Sequence, residues 1–304
     1  MERLLKEARL GPLRGWSTLS GGHANDLYRL QLDGPLPSVV LRSWRRAPDR
    51  AATELAVMRR ASAVVPVPDV LAQDLDPGAP LALLEDVAGV TAEEALAQDP
   101  QAAQFIGERL GDAFARLSQI QFAAAGLIPD ARLEPDPWPP ASAAEQLLGF
   151  AHPRVWSEAV RASLGPALQR RWWTLIEQHA PLLSAVDDER SLVHADANPK
   201  NVMVRRDRSG WSVAAVLDWE FALSGPSLMD LGNLLRYEPR TGSAFASGVQ
   251  RGWQDAGGPT PPDWLRVART LDVYSLLDFV TRPGHPLHGP VVQLIRSAAD
   301  QNTL

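Results

Sequence analysis

The sequence predicts an α+β protein of two unequal lobes: a small N-terminal lobe with a five-stranded antiparallel sheet and one helix, and a larger, mainly helical lobe containing one β-hairpin. Three observations carry this reading. Residues 1 to 90 read as short alternating strands with tight turns. The rest follows helical periodicity. A single apolar hairpin between 202 and 217 interrupts the helical half and is flanked by acidic and amide side chains. The 304 residues suffice for two packed lobes around one cleft, with the boundary placed so that 1–88 form the first lobe and 89–304 the second.

Taken in order, Trp16 to Ser20 reads as a first strand running into Gly21-Gly22. Leu27 to Leu32 alternates apolar and polar, Asp33-Gly34-Pro35 turns the chain, and Ser38 to Arg42 returns it. A helix is expected from about Asp49, which can cap it, because Ala51, Leu55 and Met58 recur at helical spacing. Pro66 to Leu71 and Leu81 to Glu85 are the last two strand candidates. In the second lobe, Ile106, Leu110, Phe114 and Leu117 mark a helix from about Gln101 to Gln121. Pro129 to Pro140 is a proline-rich loop. Helices are expected near 144–150, 156–164 and 168–179, and one long helix over 264–280. The hairpin comprises Val202 to Arg205, a turn at Asp207 to Gly210, and Val213 to Leu217.

Composition narrows the function. The absence of cysteine removes disulfides and thiolate metal sites, and fits a reducing cytoplasm. Neither a secretory leader nor a membrane-length apolar run is evident, so a cytoplasmic protein is expected. Residues 1–90 are electrically balanced, so the whole net charge of -6 falls on 91–304, which argues against nucleic acid as a partner. Of the 30 basic residues only Lys6 and Lys200 are lysines.

The informative stretch is Ser191-Leu-Val-His-Ala-Asp-Ala-Asn-Pro-Lys-Asn-Val-Met-Val, followed by Ala214-Ala-Val-Leu-Asp-Trp-Glu220. Its pattern is His194-x-Asp196, then Asn201, then a hairpin ending in Asp218. Phosphoryl transfer needs a carboxylate beside the attacking hydroxyl and hard oxygen ligands for magnesium. Asp196 on a tight loop can supply the first. Asn201 and Asp218, at the two ends of a hairpin, are brought together and can supply the second.

The segment resembles the catalytic core of the aminoglycoside phosphotransferase and choline kinase-like family, within the protein-kinase-like superfamily. That family reads His-Gly-Asp-x-His-Pro-x-Asn, an apolar strand, and Ile-Asp-Trp-Glu. This chain reads His194-Ala-Asp-Ala-Asn-Pro-Lys-Asn201 and Leu217-Asp-Trp-Glu220. Gly225-Pro226-x-x-x-Asp230-Leu231 resembles a third family element. The resemblance spans roughly Trp16 to Tyr237. It implies a nucleotide-binding first lobe, ATP as donor (with GTP possible), Mg2+, and a small-molecule hydroxyl as acceptor. It further implies that Ser20, Gly21, Gly22 and Asn25 cover the phosphates, and that the Glu85 carbonyl and Val87 N–H meet the adenine edge. Asp230 is expected to hold the catalytic loop through backbone bonds, and His194 to fix that loop rather than shuttle a proton.

Three departures from the family bear on its chemistry. Arg42 stands where a strand lysine holds the α- and β-phosphates, with Glu54 as its partner; it reads either as that phosphate ligand or as one more surface arginine beside Arg45, Arg46 and Arg50. Asn198 replaces a second histidine. Lys200 precedes Asn201 and either reaches the transferred phosphate or points to solvent. Two functional classes therefore stand: an active O-phosphotransferase, or a nucleotide-binding protein of the same fold without turnover. A protein kinase fits less well, because the chain runs quickly from Asp218 to Pro226 and Asp230. Acceptor-pocket candidates are Trp253, Asp255, Asp272, Tyr274 and Asp278, although Trp264, Leu271 and Tyr274 share a spacing that also suits a core.

Overall fold

The computed structural model describes residues 1–19, 26–208, 210–236, 238 and 242–304. The N-terminal sheet has five strands, Leu13–Thr18 (β1), Asp26–Leu32 (β2), Ser38–Ser43 (β3), Val70–Asp74 (β4) and Leu81–Glu85 (β5), in the order β1-β2-β3-β5-β4 with antiparallel neighbours. β4 begins later than expected. Pro66 and Pro68 lack the N–H that a ladder needs, so this part stays outside the sheet. The Pro66 carbonyl instead accepts from the Val216 N–H at 2.9 Å, tying the sheet's connection to the hairpin.

Two helices flank this sheet rather than one. Glu2–Glu7 (α1) is too short to declare itself by periodicity, yet it buries Leu4 and Leu5 against Leu30, Leu32, Val39, Leu41 and Leu83. Ala51–Ala61 (α2) is entered through a single 3-10 turn, Pro48–Arg50, and has no side-chain cap, so Asp49 does not cap it. Proline at the start of that turn supplies a preset φ instead. Through Leu55, Val57 and Met58, α2 joins a second core that is continuous with the helical lobe.

In the larger lobe, Val90–Thr91 (β6) leads into Ala92–Gln98 (α3), capped by a reciprocal Thr91–Glu94 box. Ala103–Leu117 (α4) follows, shorter at both ends than expected. Gly126–Leu127 (β7), just before the proline-rich loop, pairs with Asp136–Pro137 (β8) inside it. Ala143–Val155 (α5) extends beyond the expected span, with a Ser142–Glu145 capping box. Glu158–His179 (α6) is kinked at Gly165, where φ is 73°, matching the two helices expected there. Ser191–Val193 (β9), the hairpin strands Val202–Asp207 (β10) and Gly210–Val216 (β11), and Leu223–Gly225 (β12) precede Leu228–Leu235 (α7). The expected 264–280 helix is two helices, Trp264–Leu271 and Val273–Val280. They meet at Asp272, whose carboxylate turns to Arg236 and Asn233 at the end of α7. Among the described residues no helix is long and apolar enough to cross a membrane.

α4 lies against the helix Ser243–Asp255 at backbone contact. A Cβ at Gly111 would sit 2.1 Å from the Val249 carbonyl oxygen, and one at Gly107 2.3 Å from that of Phe245. Reciprocally, a Cβ at Gly248 would sit 2.0 Å from the Gln104 carbonyl oxygen, and one at Gly252 2.0 Å from that of Glu108. Backbone cannot yield as a side chain does. Gly111→Ala is therefore expected to cost about 2–3 kcal/mol, read in urea as a lower midpoint at unchanged slope.

Candidate active site

β9 delivers the chain to a tight loop. Its first turn places Ala195 at φ 64°, a left-handed conformation that costs an alanine more than a glycine. The family pattern has glycine here. Ala195→Gly is expected to stabilise the fold by about 0.5–1 kcal/mol, the relieved Cβ clash exceeding the added unfolded-state entropy; a denaturation midpoint that does not rise would count against this.

The loop is held from behind by Asp230. Its Oδ2 accepts from the His194 N–H and its Oδ1 from the Ala195 N–H, both at 2.8 Å. Burial pushes this carboxyl up to about 6, the two N–H donors pulling the other way. The His194 ring is fully buried. Its Nε2 donates to the Leu217 carbonyl at 2.7 Å, and its Nδ1 accepts from the Asp196 N–H at 3.3 Å. Both ring nitrogens are thus spent on backbone, an arrangement for fixing the loop rather than passing a proton.

Asp196 then projects from the loop, with Asn201 donating through Nδ2 to its Oδ2 at 2.8 Å and to its carbonyl at 3.0 Å. Burial raises the Asp196 carboxyl above its ordinary value, with Arg236 among the charges that draw it back. Asn198, in place of the second histidine, braces the loop. Its Oδ1 accepts from the Lys200 N–H at 2.9 Å and its Nδ2 donates to the Asp196 carbonyl at 3.1 Å. Lys200 itself lies exposed on the 3-10 turn Pro199–Asn201.

The hairpin closes the site. Val202 pairs with Val216, and the Leu217 N–H donates to the Asn201 carbonyl at 2.8 Å, which returns Asp218 to the loop. Asp218 also sits at positive φ, 65°. Such conformations persist where the surroundings over-determine them. The Asn201 amide nitrogen is committed to Asp196, so its oxygen and the Asp218 carboxylate remain as hard donors. That set fits magnesium, which takes one or two protein oxygens beside phosphate and water.

From the other lobe, Arg42 Nη2 lies 2.5 Å from Glu54 Oε1 and 3.3 Å from Asp218 Oδ1. Arg42 is 6% exposed, which separates it from the surface arginines around it. α2 is anchored to the larger lobe as well: Arg50 Nη1 donates to the Ile128 carbonyl at 2.7 Å and Thr53 Oγ1 to that of Pro129 at 3.3 Å. Ser20, Gly21, Gly22 and Asn25 lie outside the described residues. Glu85 ends β5 and Val87 follows it in the connection between the lobes. Asp86 between them accepts from Arg29 Nε at 2.8 Å and from Ser38 Oγ at 2.6 Å.

Two residues of the site carry no role in the sequence reading. Glu220, whose carboxyl burial and the Asp218 charge push up to about 7, also feels Glu54, Arg42 and Asp196. Trp44 donates from Nε1 to Glu54 Oε2 at 2.6 Å. Glu220 closes the Leu217-Asp-Trp-Glu220 motif and was within reach of the pattern; nothing in the spacing points to Trp44.

The acceptor-pocket candidates separate. Trp253 is fully buried with Nε1 donating to the Pro259 carbonyl, and Asp272 is buried with Arg236 Nε 2.9 Å from its Oδ2. Both serve the core. Tyr274 packs on Phe150, ring centroids 4.8 Å apart, while Asp255 and Asp278 are exposed and Asp278 pairs with Arg282.

This is the two-lobed, protein-kinase-like fold. The crystal structure of aminoglycoside phosphotransferase APH(4)-Ia superposes with a TM-score of 0.68 at 18% identity, covering 99% of this chain and 96% of that one. The GDP and kanamycin complex of APH(2")-IIia gives 0.71 at 12% identity, covering 100% and 99%. Macrolide 2'-phosphotransferase MphH from Brachybacterium faecium gives 0.60 at 19% identity, covering 98% of each chain. No curated protein sequence matches the chain. A model of the phosphotransferase enzyme family matches residues 15–268, and the chain belongs to that family.

Proposed function

We propose that this protein transfers the γ-phosphate of ATP, with magnesium, to a hydroxyl of a small molecule such as an amino sugar or amino alcohol. Residues 1–88 bind the nucleotide and 89–304 carry the catalytic loop and the acceptor. The observation that carries this reading is the convergence of Asp196, Asn201 and Asp218 with Arg42, the last reaching across from the other lobe to within 3.3 Å of Asp218. Asp196 accepts the hydroxyl proton and orients the nucleophile. Arg42, held by Glu54, grips the phosphates, and Lys200 offsets charge on the transferred group. Asn201 and Asp218 would hold magnesium, which when bound neutralises phosphate charge. The kinship supports the donor and acceptor classes: relatives of this fold bind ADP with hygromycin B and GDP with kanamycin.

The test is nucleotide consumption by the purified protein, with ATP and GTP separately, against a panel of amino sugars, amino alcohols and sugars, with and without magnesium. Acceptor-dependent ADP release that requires magnesium is expected. A nucleotide that raises the melting temperature while no hydroxyl compound is ever phosphorylated would leave a nucleotide-binding protein without turnover.

A further inference from the structure

We infer that Trp44 is a positioning residue that adapts the cleft to an arginine at position 42. The inference rests on the reading of Arg42 as the phosphate ligand. A guanidinium facing a carboxylate tends to bind it with two parallel N–H bonds, which an ammonium cannot do. Were Glu54 to present both oxygens, that pairing would consume the edge of Arg42 and turn it from the cleft.

Trp44 competes for one of those oxygens. Trp44 follows β3 by one residue and extends the ladder, its N–H donating to the Pro80 carbonyl at 3.3 Å. Arg42 and Trp44, two apart in extended chain, therefore fall on the same side of the sheet. The indole Nε1–H donates to Glu54 Oε2 at 2.6 Å, while Oε1 forms the ion pair with Arg42 Nη2, at 2.5 Å. The same Nη2 leans toward Asp218, 3.3 Å away. The indole face also lies 5.0 Å from the guanidinium carbon, which limits the fork's rotation. All three side chains are buried, Glu54 at 1%, Trp44 at 2% and Arg42 at 6% exposure, so water does not compete for these bonds. One side chain thus covers one carboxylate oxygen and one face of the fork.

The experiment compares the wild type, Trp44→Phe, Arg42→Lys and the double variant as full chains, by calorimetric titration with magnesium-ATP. Trp44→Phe should weaken nucleotide binding about tenfold beside Arg42, the worth of one charge-assisted hydrogen bond, and less than about twofold beside lysine. Equal losses in both backgrounds would mean a merely structural tryptophan and overturn the inference. A nucleotide-free crystal structure of Trp44→Phe provides a second, independent test: the guanidinium is expected to move toward Glu54 Oε2 and away from Asp218, and an unchanged arrangement of Arg42, Glu54 and Asp218 overturns the idea. If wild type binds no nucleotide, the phosphotransferase reading fails on its own and the Trp44→Phe structure still decides the role of Trp44. Should the phenylalanine variant not fold, the benzothiophene analogue of tryptophan placed at position 44 keeps the shape and removes only the N–H.

Discussion

Replacing Asp196 by asparagine is expected to lower kcat by about three orders of magnitude while nucleotide binding is kept, the range over which a positioned base acts being about 10²–10⁴-fold. The side chain is the one carboxylate on the loop between His194 and Asn201. An asparagine there retains an oxygen for the Asn201 amide, which now donates to the Asp196 carboxylate at 2.8 Å, so the loop should hold. What is lost is the proton acceptor alone. Burial raises the native carboxyl, which makes it a better base than an exposed aspartate. The measurement is acceptor-dependent ADP release beside the melting-temperature shift caused by nucleotide. A variant that keeps more than about a tenth of the wild-type turnover would remove Asp196 from the role of base.

Asp230→Ala should have the second large effect, for a different reason. It strips the acceptor from the buried His194 N–H and the half-buried Ala195 N–H, by deleting a carboxylate that is 1% exposed. Each buried donor left unsatisfied costs about 1–3 kcal/mol, so a loss of about 2–5 kcal/mol is expected. The loop conformation at Ala195 is also released, so turnover should fall by more than about a hundredfold even where the fold survives, since misplaced groups alone can cost that much. Asp230→Asn keeps one acceptor and should fall between. Chemical denaturation and activity of both variants decide; a penalty under about 0.5 kcal/mol for the alanine would show that the two hydrogen bonds are not what fixes the loop.

The two-lobed plan and the layout of several candidate residues were legible because their determinants are local. Asp196 and Asn201 are five residues apart on one turn, and Asp218 returns next to that turn because a hairpin must bring its own ends together, Leu217 bonding to the Asn201 carbonyl. Arg42 and Glu54 lie on a strand and the next helix, twelve residues apart. What escaped needs the third dimension. Gly107 and Gly111 meet Gly248 and Gly252 across some 140 residues of chain, and no spacing announces that contact. The Trp44–Glu54 bond depends on which side of a sheet end faces α2. Trp253 and Asp272 carry residue types that suit a ligand, but periodicity cannot say that one is wholly enclosed and the other already paired. The break of 264–280 at Asp272 follows from that same pairing with Arg236.

The apolar filling behind α2 runs without interruption from Leu55 and Met58 into the helical half, whereas that beneath α1 is closed on itself. Wedging the halves apart at α2 would wet a shared interior; tilting the β1–β2 margin would not. Strain applied at α2 is thus shared between the halves, while strain applied at α1 stays within the sheet's own filling.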